Sequence, residues 1–257
     1  MTINFNGAAI KLTDTDLPEL GSAIGVGEDE IHAFLDTESR GTGFDRNKRP
    51  TMLFEPHIFY RQLTGDQLTR AINGGLAYRN WGEKPYPADS YPRLMAAMQI
   101  NETAALCSAS WGYGQILGIN HAEVKYATVQ EMVVAFCESE KNQVRAIIDF
   151  LMTNHLDTAL RAHDWAHLAA GYNGAGYAKN GYDKKLAANF AYWQAIKDTP
   201  WSPAPKTAPP APGTAPMAPR PVKPVTPPTA PVSVASDGIW DILLKIFLIF
   251  IARKAKP

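Results

Sequence analysis

The chain has 257 residues and no net charge, and 46% of its residues are hydrophobic, enough to pack one large domain or two small ones. The neutrality hides an asymmetry of 18 Lys and Arg against 23 Asp and Glu in residues 1–198, but 7 against 2 from residue 199 onward. A mildly acidic body lacks the basic footprint of a nucleic-acid-binding domain and excludes that class of partner. Its two cysteines, Cys107 and Cys137, lie inside apolar helical patterns without metal-ligand spacing. Buried free thiols are expected, with a single disulfide as the alternative. The first residues, MTINFNGAAIKLTDTD, show neither a basic n-region nor an apolar h-region. The chain is therefore expected to be made in the cytoplasm and to stay there initially.

Taken in order, Thr13 to Ile24 predicts a short helix, capped by Thr13, Asp14 and Asp16 and stopped by Gly25 and Gly27. In the next helix Ile31, Phe34 and Leu35 stand at i, i+3 and i+4, and the following position on that apolar stripe is Glu38. Gly41 and Gly43 come soon after and supply the left-handed conformations on which helices stop. Glu38 is thus expected in a last helical turn, facing inward. Burial and the negative end of the helix dipole both disfavour its charge, so its pKa should rise, as general-acid work requires. Thr51 to Phe54 reads as a short strand, and Pro56 suits the first turn of a helix, which places Glu55 at a strand-to-helix junction.

Helical patterns over His57 to Leu63 and Asp66 to Ile72 lead into a long loop, Gly74 to Asp89. Further helices are predicted from Ser90 to about Ile100 and from Glu102 to Ala109. Ser110 to Ile116 then interrupts the pattern with glycines and aromatics. Thr128 and Glu131 form a capping box for what reads as the longest helix, to about Met152, with Glu140 on its apolar stripe and expected to form a structural ion pair with an arginine. Short helices at Asp157 to Arg161 and Asp164 to Ala170, then an amphipathic one from Asp183 to Ile196, complete a mainly α (α+β) body with one small β-hairpin element.

From residue 199 the composition changes. Of the 20 prolines, 13 fall between Pro200 and Pro231, a composition that cannot bury a core and favours an extended polyproline-like spacer. Residues 199–236 are read as a linker able to reach on the order of 100 Å. Residues 237–257 are read as an apolar helix with a basic end. The 14 residues from Ile239 to Ala252 are too few to span a bilayer and are interrupted by Asp241 and Lys245. A helix lying in a bacterial membrane interface is expected, with packing on a protein surface as the alternative. The body, residues 1–198, is expected to act alone, as a monomer.

Three segments take on meaning together: Glu38 to Gly41, Ser110 to Ile116, and Gly171 to Gly174. In this order they resemble the lysozyme-like group of goose-type lysozymes and soluble lytic transglycosylases. DTESRGTGF, LFEPHIFYR, SASWGYGQILGINH, the ESE of the long helix and YNGAGYAKNGYDKKLA resemble more closely the N-acetylmuramidase family of bacteriophage endolysins, over roughly Leu12 to Ile196. The resemblance implies a lysozyme-like fold and cleavage of the β-1,4 bond between N-acetylmuramic acid and N-acetylglucosamine in peptidoglycan, with Glu38 as general acid. It also implies a bacteriolytic endolysin acting at the cell wall.

Glu55 is the candidate second carboxylate, expected to return toward Glu38 on a hairpin, with Asp36 and Asp45 as rivals. Its alternative is a carboxylate stabilised by a helix N-terminus. Trp111, Tyr113, Gln115, Tyr172 and Asn173 supply the aromatic faces and amides that sugars need, although Trp111 and Tyr113 read equally well as core aromatics. The family places the glutamine and tyrosine beside the catalytic glutamate, a role carried to Gln115 and Tyr172. No metal or nucleotide motif occurs, so no cofactor is expected. Hydrolysis by retention or inversion, lytic transglycosylation and a non-enzymatic peptidoglycan-binding virion module all stay open.

Overall fold

The computed structural model describes residues 3–39, 41–174 and 176–203; the linker and apolar tail read from the sequence lie largely outside them, as does Arg40. Helix α1 (Asp16–Ser22) packs on α2 (Glu28–Glu38), and α2 lies along α12 (Tyr182–Gln194). The apolar stripe of α2 is the reason: Ile31, Phe34 and Leu35 are all buried, while Asp36 on the opposite side is exposed. Helix α2 ends at Glu38, and Ser39 adopts extended backbone directly after it.

Three short strands form an antiparallel sheet in the order β1 (Met52–Phe54), β2 (Ala109–Trp111), β3 (Ile116–Leu117). Met52 pairs with Trp111, Phe54 with Ala109, and Trp111 with Ile116. The hairpin is therefore β2 to β3, turning through Gly112 to Gln115, and β1 joins it from far away in sequence. Helices α3 (Pro56–Gln62), α4 (Gly65–Asn73), α5 (Tyr91–Met98) and α6 (Glu102–Cys107) fill the interval between β1 and β2. Tyr91, at the start of α5, donates its hydroxyl to the Pro50 carbonyl at 2.7 Å and so ties the helix to the entry of β1.

The predicted long helix divides into α7 (Val129–Glu138) and α8 (Glu140–Thr153) at Ser139, whose backbone is extended. The cause is the N-terminal arm. Ala9 and Ile10 donate to the carbonyls of Cys137 and Glu138, and Glu140 N–H donates to the Ile10 carbonyl at 2.9 Å. A strand-like bridge thus replaces helical bonding across Ser139, and the Ser139 hydroxyl recaps α8 at Asn142 N–H. Further along the arm, Phe5 stacks on Trp111 with ring centroids 5.8 Å apart. After α9 (Asp157–Arg161), α10 (Trp165–Asn173) runs through the predicted Tyr-Asn-Gly segment instead of stopping before it, and α11 (Tyr177–Asn180) leads to α12. Both cysteines are free and buried.

Candidate active site

The three segments singled out in the sequence meet at the end of α2. Asn173 Nδ2, at the end of α10, donates to Glu38 Oε1 at 2.7 Å. One residue earlier, Tyr172 donates its hydroxyl to the Gly114 carbonyl in the β2–β3 turn, at 3.3 Å. From that same turn, the Tyr113 hydroxyl faces the Ser39 side chain. Glu38 is therefore closed in by a ring of contacts, each joining two distant segments. Tyr172 is fixed by edge-on contacts with Phe34 and Phe150, at 4.8 and 5.7 Å between centroids.

Glu38 keeps partial contact with solvent, yet protein atoms surround its carboxyl densely. Burial pushes its pKa up to about 7 from an ordinary 4.5. The Asn173 hydrogen bond and the more distant Lys185 charge oppose the rise without cancelling it. A carboxyl with that pKa holds its proton near neutrality and can deliver it. Burial also raises the hydroxyl pKa values of Tyr172 and Tyr182, and the nearby Glu38 charge adds to both. These two tyrosines stay neutral beside it.

Gln115 braces the turn more than it faces outward. Its Nε2 donates to the Gly112 carbonyl at 2.8 Å and to the Thr51 carbonyl at 3.4 Å, and its backbone sits at a φ of 50°. Its Oε1 is buried without a hydrogen-bond partner among the described residues. Tyr113 is half-buried beside it.

Three expectations are corrected. Trp111 is 0% exposed, stacked beneath Phe5, and donates Nε1 to the Leu106 carbonyl at 3.0 Å; it is a core residue and offers no face to a sugar. Glu55 is also 0% exposed. Tyr86 donates its hydroxyl to Glu55 Oε2, and His57 Nδ1 lies 3.4 Å from the same oxygen. A carboxylate acting across a scissile bond needs an accessible oxygen, and in this conformation Glu55 has none. The rivals are engaged elsewhere: Asp36 accepts from Trp193 Nε1 at 2.7 Å, and Asp45 pairs with Arg49 at 2.7 Å. Glu140, expected to meet an arginine, pairs instead with Lys11 at 2.8 Å.

A groove of about 440 Å³, lined by Asp45, Arg49, Thr51, Met52, Asp89 and Tyr91 among others, borders this assembly. It shares Thr51 with the Gln115 brace but none of the side chains that touch Glu38. Among the described residues no group of three or more His, Cys, Asp or Glu side chains is placed to hold a metal ion, and no helix is long and apolar enough to cross a membrane.

A helical body around a small antiparallel sheet, with a protonatable glutamate at a helix end beside the β-turn, is the architecture of the lysozyme-like glycoside hydrolases. Residues 28–194 match the model of the N-acetylmuramidase family, to which the chain belongs. It is accordingly a lysozyme-type glycoside hydrolase that degrades peptidoglycan. The fold is similar to the crystal structure of the Burkholderia AP3 phage endolysin, at 33% identity and a TM-score of 0.67, over 76% of this chain and 74% of that one. No curated protein matches.

Proposed function

We propose that the chain hydrolyses the β-1,4 bond between N-acetylmuramic acid and N-acetylglucosamine and so lyses bacterial cells, with Glu38 as general acid. The observation that carries this reading is the elevated pKa of Glu38, held at a helix end by Asn173. Glu38 gives its proton to the glycosidic oxygen as the bond from that oxygen to the anomeric carbon breaks. Water then adds to the anomeric carbon, loses a proton, and leaves a reducing end. The half-buried Tyr113 ring is the group we assign to the sugar beside it, with Gln115 bracing the turn and Tyr172 and Asn173 holding Glu38 and the turn in place. Mass spectrometry of released muropeptides tests the reading: reducing muramic acid ends support it, and reducing N-acetylglucosamine ends refute the bond assignment.

The burial of Glu55 favours one second reading, a lytic transglycosylase. There the sugar's own 6-hydroxyl attacks, and a single carboxyl suffices to protonate the leaving oxygen and to take up the hydroxyl proton. Such an enzyme leaves 1,6-anhydro ends in the same spectrum.

Residues 1–198 form the catalytic unit in this proposal, and residues 237–257 a membrane-interacting helix on the 199–236 linker. Deleting 239–257 should leave hydrolysis of isolated peptidoglycan intact while weakening killing of intact cells. Equal loss in both assays refutes a separate membrane role.

A further inference from the structure

One turn of α8 grips both loops that flank Glu38. Glu140, 4% exposed, accepts from Gly43 N–H and from Lys11 Nζ at Oε1, both at 2.8 Å, and from Leu12 N–H at Oε2 at 3.1 Å. Gln143 follows at i+3, on the same side of the helix. It is fully buried, accepts from Tyr113 N–H at 2.8 Å, and is itself held by the Phe136 carbonyl at 2.8 Å. Its amide fills the space against two glycines: a Cβ on Gly43 would fall 2.1 Å from Gln143 Oε1, and one on Gly112 2.9 Å from the same amide. Lys11 Nζ closes the arrangement by donating to Thr42 Oγ1 at 2.9 Å.

Glycines at 41, 43, 112 and 114 give both loops wide conformational freedom, and Gly41 and Gly112 sit at φ values of 77° and 69°. Local backbone preference therefore does not fix the distance between them. Thr51 links them on one side, donating its N–H to the Gly43 carbonyl at 2.8 Å and accepting from Gly112 N–H at 2.7 Å, and the two side chains on one helical turn of α8 hold them on the other. Lys11 and Leu12 belong to the N-terminal arm, which precedes the matched residues 28–194, so the lock on this spacing comes from outside the matched region.

We propose that Glu140 and Gln143 are positioning residues for bond cleavage, setting, together with Thr51, the spacing of the 41–43 and 112–115 loops beside Glu38 against which the sugar is aligned, and that Lys11 locks that spacing. The proposal rests on the reading of Glu38 as general acid, because the spacing of these loops matters only if the sugar must be aligned there. A misplacement of about an ångström costs on the order of 100-fold in rate, which sets the scale for Glu140→Gln.

Lys11→Met is the gentler perturbation, since the Lys11 side chain is 59% exposed and its loss leaves the core intact. It should lower kcat by about tenfold with KM within about twofold, and Lys11→Arg should restore the rate. In both Glu140→Gln and Lys11→Met the basic limb of the kcat profile should move to lower pH, because loosened loops hydrate Glu38. A purely structural role would lower melting temperature without moving that limb. Amide hydrogen exchange gives a readout independent of turnover: Gly43 in Glu140→Gln and Tyr113 in Gln143→Leu should lose at least about tenfold in protection while α12 amides do not. Unchanged protection, or parental kcat and pH profile in Lys11→Met, overturns the proposal. Glu38→Gln that still cleaves overturns the general-acid reading instead, and the exchange data then decide separately whether the bracket exists.

Discussion

Glu38→Gln should inactivate the protein and stabilise it, and the stabilisation should depend on pH. Glutamine keeps the size of the side chain and a carbonyl oxygen for Asn173 Nδ2, so the hydrogen bond of 2.7 Å survives while the ionisable group does not. In the folded chain the Glu38 pKa is raised to about 7, against 4.5 as its ordinary value. Between those values the folded state binds the proton more tightly than the unfolded state. Stability from this group is thus fully present below about pH 4.5 and is lost as pH rises through about 7.

At about 1.36 kcal/mol per pKa unit, the penalty on the parent above neutrality is at most about 3 kcal/mol, and about half that once the solvent contact of Glu38 screens it. Melting curves of both proteins should coincide near pH 4 and separate by about 3–12 °C at pH 9, with the variant higher. Turnover of peptidoglycan should fall by about 10²–10⁴-fold below about pH 7 and by less above it, where Glu38 of the parent has itself lost its proton. Parallel stability curves between pH 4 and 9 would refute the buried, proton-binding glutamate, whatever the activity.

Removing the Asn173 donor by Asn173→Ala takes away a contact that favours the ionised form, so the Glu38 pKa should rise further and the basic limb of the pH–rate profile move to higher pH; a limb that moves down or stays refutes the assignment. Glu55→Gln should leave muropeptide release within about threefold of the parent while lowering stability by about 1–3 kcal/mol, because it disturbs a buried hydrogen-bonded pair with Tyr86. Loss of release in a variant with parental melting temperature would return Glu55 to the catalytic machinery. Gly43→Ala should cost about 1–3 kcal/mol by forcing a Cβ against Gln143, measured by urea unfolding. Trp111→Ala should cost about 3–5 kcal/mol as a core cavity; weakened sugar binding without a loss of stability would make Trp111 a binding platform after all.

Much of the architecture was written locally. The stripe of Ile31, Phe34 and Leu35 determined that α2 exists and that Glu38 lies on its inward side, and the glycines at 41 and 43 marked where it must stop, although the break itself falls at Ser39. The short apolar run Met52 to Phe54 and the proline after it did the same for β1 and α3. These features depend on neighbours within a turn or two, which sequence periodicity records.

Tertiary structure decided what each polar or aromatic residue meets. A carboxylate on a buried position reads alike at Glu38, Glu55 and Glu140. Only packing gives the first a raised pKa with some solvent contact, gives the second a tyrosine and a histidine, and joins the third to Lys11 and Gly43. Trp111 likewise belongs to the core because Phe5, more than a hundred positions away, lies on its ring. The break at Ser139 has the same origin, since the bonds that divide the predicted helix come from Ala9 and Ile10. Contacts of that range have no periodic trace along the chain, because the energy that selects them is shared between segments that become neighbours only on folding.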